Sequence, residues 1–144
     1  MENAKQEAKG FCDINDSQYP LVVLFTFYEP TQQTQIDAYF RYFSLLLKRE
    51  TKRNLRIIFD LRNYTNGTWS QLEQQRDFSA EHKCLYRQRL RCTAIVAESI
   101  WTRWAVRTLL AWQGAQMPNR VVSTLDEAID WMKDRRDKKS MDSM

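Results

Sequence analysis

Glycine and proline are scarce in this chain, three of each in 144 residues. That scarcity argues against linkers, collagen-like repeats and long disordered tracts. Cysteine is as rare: Cys12, Cys84 and Cys92 show no metal-ligand spacing, and an odd count does not build a disulfide framework. With a single histidine, His82, a zinc site has too few ligands, so no metal and no other cofactor is expected. No apolar run approaches the roughly 18 residues that span a bilayer, and no transmembrane segment is expected. The opening Met1 to Lys9 is polar and lacks the apolar centre of a signal peptide, which makes a cytoplasmic protein the expectation. No Gly-rich phosphate loop follows any strand-like run. His82, between Glu81 and Lys83, reads as a surface residue in mid-helix rather than a general base.

What is present is enough for one core. Hydrophobic residues make up 43% of the chain, and a domain of this length buries roughly two thirds of its unfolded surface. Net charge is +4. The excess lies in short clusters: Lys48, Arg49, Lys52 and Arg53; Arg87, Arg89 and Arg91; and the tail from Lys133 to Lys139. A nucleic-acid surface would interleave stacking aromatics with such a basic face. Here the aromatics fall at core-facing helical spacing, so the charge reads as solvated surface and no nucleic acid is expected.

The chain is organised around Leu55 to Gln71. Leu55 to Phe59 is a short branched-chain run closed by Asp60, the signature of a buried strand. A polar turn from Arg62 to Gly67 follows, and Thr68 with Gln71 fits a capping box opening a helix. In an open α/β sheet, ligands and partners are met just past the carboxyl ends of strands, which makes this corner the expected site.

Before that corner, residues 1–9 read as disordered, Phe11 to Ile14 as a short strand, and Tyr19 to Tyr28 as the strongest strand. The two strands are close enough to pair only as an antiparallel hairpin. Ile36, Tyr39, Phe40, Phe43, Leu46 and Leu47 form one stripe of a helix over about 31–50. After the corner, a helix over about 68–88 carries a broken stripe, interrupted at Gln75 and Arg76, and is expected to be either shallowly buried or bent. Arg91 to Ala97 is a buried strand that takes in Cys92. Ser99 opens a third helix reaching about Trp112, with Gly114 placed to end it. On this helix Trp101, Trp104, Ala105, Thr108, Leu109 and Trp112 share the expected core face. Val106 and Leu110 fall on the opposite side, either as isolated exposed apolar residues or as a partner-facing patch. Met117 to Val122 is a last strand. Ser123 to Glu127 opens a final helix, with Leu125, Ala128, Ile129 and Met132 facing the core, and residues 135–144 form a charged flexible tail. The order β-β-α-β-α-β-α-β-α predicts a single layered α/β domain over 10–134, with a mixed, mostly parallel five-stranded sheet and about four helices.

That order, with Tyr19 to Val23 in the first long strand, Ile57 to Arg62 in the middle one, and Trp104 to Val122 running into Ser123 to Ala128, resembles the STAS-like superfamily. It is most similar to the small bacterial stand-alone members related to the sporulation anti-sigma-factor antagonist. The resemblance covers about residues 11–133 and implies a non-enzymatic regulatory role. In signalling members, a Ser or Thr at the start of the helix after the middle strand is phosphorylated by a partner kinase. The matching stretch here, Asp60 to Ser70, offers Thr65, Thr68 and Ser70 but no Ser-Ser-Gly-type signature, and Thr68 also serves as a plain N-cap. A phosphate there would meet free amide donors at the helix start.

Two functions compete, and a third trails. The first is a regulatory, protein-interaction module using Asp60, Arg62, Thr65, Thr68, Ser70, Ser99 and Ser123 at the strand ends and the Trp-rich helix with Val106 and Leu110. Its partner would be another protein, a second copy of the chain included. The second is a binder of a small lipid or anion, held by the helix N-termini at Thr31, Thr68, Ser99 and Ser123 around a pocket. A hydrolase built on Asp60 lacks a reactive partner for that carboxylate.

Overall fold

The computed structural model describes residues 1–19, 22–64, 68–113 and 117–142, with only the backbone described for 112, 113 and 134–142. The five strands are β1 (Cys12–Asn15), β2 (Val22–Phe27), β3 (Leu55–Asp60), β4 (Leu90–Val96) and β5 (Asn119–Val122). They lie side by side in chain order. β1 and β2 pair antiparallel, with Cys12 opposite Phe27. The three remaining pairs are parallel, as in Val23 with Ile57 and Phe59 with Ile95. The expected single α/β domain with one antiparallel edge strand is the one observed. Among the described residues there are six helices rather than about four.

Two helices were not anticipated as separate elements. α1 (Glu2–Ala8) forms where the sequence reads as disordered. It packs on α2 (Gln33–Arg49), burying Ala4 and Ala8, which lie one turn apart and are small enough for close approach. α1 also explains why α2 buries Ala38 and Tyr42 beyond its expected stripe. The Tyr42 hydroxyl donates to Asp16 at 2.7 Å, and Lys5 Nζ reaches the other Asp16 oxygen at 2.9 Å. α3 (Trp69–Glu81) and α4 (Lys83–Arg89) replace the single helix expected over 68–88. The bend falls at His82, which is not a solvated mid-helix residue. Its ring stacks on Phe78 at 4.0 Å, with Nδ1 2.9 Å from the Phe78 carbonyl and Nε2 3.1 Å from the Ser44 hydroxyl. A carbonyl only accepts, so Nδ1 donates to Phe78 and Nε2 shares a hydrogen bond with Ser44.

Successive parallel strands step in one direction across the sheet, and right-handed crossovers therefore place their helices on one face. Period-two alternation divides the side chains accordingly. Val23, Phe25, Phe27, Leu55 and Ile57 join α2, Phe78 and Tyr86 in the larger core. Ile58, Cys92, Ala94, Val96 and Val122 meet Ala128 and Met132 of α6 (Leu125–Asp142) on the other. Ile129, expected inward, is exposed, and Trp131 packs against this cluster instead. The backbone of α6 continues helical to Asp142 through the stretch read as a tail. The helix-ending role expected of Gly114 lies outside the described residues.

Candidate functional site

Because β2 to β5 are parallel, their carboxyl ends share one rim, and the four strand-to-helix corners gather there. The middle corner carries an ion pair between Asp60 and Arg62. Asp60 is the last residue of β3, its side chain only 3% exposed. The Arg62 backbone N–H donates to Asp60 Oδ1 at 3.1 Å, closing a local turn of the kind Asp favours. Arg62 Nε reaches the same oxygen at 3.0 Å and Nη2 the other at 2.8 Å, a bidentate pair. Burial alone would raise this carboxyl's pKa, but the hydrogen bonds and charge of Arg62 outweigh it and hold it below the ordinary value. A carboxylate so held accepts hydrogen bonds and makes a poor general base.

The other expected site residues spread along the rim. Thr68 is the N-cap of α3: its hydroxyl accepts from Gln71 N at 3.2 Å, while the Gln71 side chain accepts from Thr68 N at 3.4 Å. Ser70 is exposed one position into that helix. Thr65 lies outside the described residues. At the α2 corner Gln32, not Thr31, is the N-cap, and Gln35 Oε1 accepts from the Thr31 and Gln32 amides at 2.8 and 3.2 Å. Ser99 is exposed ahead of α5 (Ile100–Gln113), its carbonyl accepting from Arg103 N at 2.9 Å. Ser123 does not cap α6; Thr124 does, accepting from Glu127 N at 3.1 Å. The Ser123 hydroxyl instead accepts from Arg103, whose Nε also donates to the Ala97 carbonyl at 3.0 Å, tying the ends of β4 and β5 to α5.

α5 departs most from expectation. Val106 is buried at 6% exposure, and both it and Leu110 point inward, so they do not form an outward patch. The outward residues are Ile100, Trp101 and Trp104, at 81%, 80% and 60% exposure, with Trp69 at the start of neighbouring α3 also exposed. The reason lies in the sequence of α5, which is apolar on both sides. Periodicity finds its faces but does not rank them. In the folded chain Val106, Leu109 and Leu110 line the inner side, and Trp101 and Trp104 stay outside.

α5 packs chiefly on α3. Beneath it lies a cavity of about 150 Å³, walled by Phe43, Phe59, Ile95, Val106, Leu109 and Leu110 among others. Thr31, Thr68, Ser99 and Ser123 are not among its lining residues. One wall carries a buried polar chain. Tyr39 Oη donates to Gln75 Oε1 at 3.0 Å, Gln75 Nε2 donates to Ser79 Oγ at 3.2 Å, and Ser79 and Tyr86 share a hydrogen bond of 3.1 Å. Burial pushes the Tyr39 and Tyr86 phenols well above their ordinary pKa, so both hydroxyls stay protonated. Sequence reasoning missed this chain because Gln75 looks like a break in an apolar stripe. Its i, i+4 spacing from Ser79, on the face carrying Phe78, was the available signal.

Among the described residues no group of three or more His, Cys, Asp or Glu could hold a metal ion, and no helix is long and apolar enough to cross a membrane. No curated protein and no solved structure matches the chain significantly. The profile of the SpoIIAA-like family does match, over residues 26–133, from the end of β2 into α6. The parallel sheet, its rim of corners and that match together place this chain in the SpoIIAA-like family, a STAS-like α/β domain.

Proposed function

We propose that this chain is a non-enzymatic regulatory module that binds a protein partner through the outer face of α5. The observation carrying this reading is the exposure of Ile100, Trp101 and Trp104 on one short stretch of helix, with Trp69 also exposed at the start of α3, on which α5 packs. Large contiguous apolar surface on a small domain marks an interaction site, and tryptophan is the residue most enriched among binding hot spots. The Asp60–Arg62 pair supports the non-enzymatic part: the rim's best carboxylate is occupied and acidic. Thr68 and Ser70, and Thr65 before them, lie beside this surface in sequence, where a phosphate would change its charge.

The test is a quantitative co-purification with wild type, a Trp101→Glu/Trp104→Glu variant, and an Arg87→Glu control on α4. A partner held by wild type and the control but lost by the double variant supports the reading. Equal recovery by all three rejects it. Light scattering on the same preparations identifies a second copy as the partner if wild type is dimeric and the double variant monomeric.

A second reading, binding of a small ligand, is favoured by the cavity beneath α5. Among the described residues lining that cavity none is charged, so the support is for an uncharged ligand rather than an anion.

A further inference from the structure

The cavity beneath α5 combines a size, a shape of surface and a polar edge that together restrict what it can hold. An apolar cavity of about 150 Å³ is large enough to take up benzene, and this one has that volume. An extended acyl chain or a nucleotide could not be held wholly within that volume. Its walls are the rings of Phe43 and Phe59 and the aliphatic ends of Val106 and Leu110. Without a charged residue among the described lining, an ionised ligand would lose its hydration with nothing to replace it.

The polar edge narrows the choice further. In the chain Tyr39–Gln75–Ser79–Tyr86 each link uses one donor and one acceptor site. A phenolic or amide oxygen has two lone pairs. Tyr39 Oη spends its proton on Gln75 and accepts in none of those links, and Gln75 Oε1 receives one bond there. Tyr39 and Gln75 both line the cavity. Gln75 Nε2 has two N–H groups; one goes to Ser79, and the Gln75 side chain also hydrogen-bonds Tyr86 as donor. What Tyr39 and Gln75 can still offer is therefore an acceptor oxygen, and what it would match is a donor.

We propose that this cavity is a binding site for a small neutral molecule, ring-sized and apolar except for one hydroxyl or N–H group, which it donates to the Tyr39–Gln75 edge. Phenol is the simplest member of the class. The proposal rests on the ligand-binding reading and specifies its ligand. It does not involve Trp101 or Trp104, so the two surfaces fail or succeed separately.

The experiment is calorimetric titration of the intact chain with phenol, benzene and benzoate, repeated on Leu110→Trp and Gln75→Met. Wild type is expected to bind phenol saturably at one site, about tenfold more tightly than benzene, with benzoate at least a further tenfold weaker than phenol. Leu110→Trp, which fills the cavity, is expected to abolish phenol binding while the chain stays folded by circular dichroism. Gln75→Met is expected to bring phenol down to the level of benzene. If neither phenol nor benzene binds wild type, the ligand-binding reading itself fails. If benzene or benzoate binds wild type as well as phenol does, the cavity is a site but the donor assignment is overturned. The comparison within wild type decides this even if Gln75→Met does not fold. Undiminished phenol binding by folded Leu110→Trp overturns the location.

Discussion

Arg62 closes a two-pronged bridge onto Asp60, its Nε and Nη2 reaching the two carboxylate oxygens at 3.0 and 2.8 Å from only two residues away. Removing one partner of a fully buried ion pair costs about 3–5 kcal/mol. The Arg62 side chain is 35% exposed, so water screens part of the loss, and Arg62→Ala is expected to cost about 2 kcal/mol in urea unfolding near neutral pH. The pair also sets an acid dependence. Because Asp60's folded pKa lies below its ordinary 3.8, its contribution is present above that ordinary value and is lost as pH falls through the lower folded value. In Arg62→Ala the onset of acid unfolding should move to higher pH. An unchanged acid limb would show that the pair is not coupled to folding.

The inward and outward residues of α5 give opposite mutational signatures. Trp101→Glu and Trp104→Glu should each change stability by no more than about 0.5 kcal/mol, as exposed substitutions do. Val106→Asp should cost more than about 3 kcal/mol, since it buries a charge beside apolar rings with no partner. Thermal melts of the three variants suffice. A stable Val106→Asp together with a crippled Trp104→Glu would mean that the helix is rotated by half a turn.

Alkaline pH should reveal the buried tyrosines. Burial raises Tyr39, Tyr42 and Tyr86 above the ordinary value of 10.0, and Tyr64 is pushed up to about 12. A raised folded pKa gives stability that is complete below the unfolded value and is lost as pH rises through the folded ones. Tyrosinate absorbance should therefore lag a free-tyrosine curve above about pH 10. It should then rise together with loss of the far-ultraviolet circular dichroism. Smooth titration of Tyr39, Tyr42, Tyr64 and Tyr86 with the fold intact would contradict the environment that raises them.

The capping box of α3 is a separable local element. Thr68→Ala removes the acceptor for Gln71 N and should cost about 1 kcal/mol by chemical denaturation. Thr68→Asp keeps an acceptor and places negative charge at the helix start, so it should be close to neutral. Equal losses in the two variants would assign Thr68 a role beyond the cap.

Much of the fold was legible in short-range pattern. The apolar run Leu55 to Asp60, the Thr68–Gln71 box and the stripe from Ile36 to Leu47 each arise from interactions within a few residues, which sequence records directly. The rim followed from strand–helix alternation alone. The residues that converge across the chain were less legible. α1 is held by packing on α2, the His82 bend by Ser44, and the Tyr39–Gln75 bond by residues 36 apart.

By itself, then, the sequence determined the order of the five strands, their pairing sense and the Asp60 corner, because hydrogen-bond period and turn chemistry are local. Tertiary structure alone decided which side of α5 turns inward. Both sides are apolar, so local periodicity does not choose between them; the packing of α5 on α3 turns Val106 and Leu110 inward, with a cavity inside and tryptophans outside.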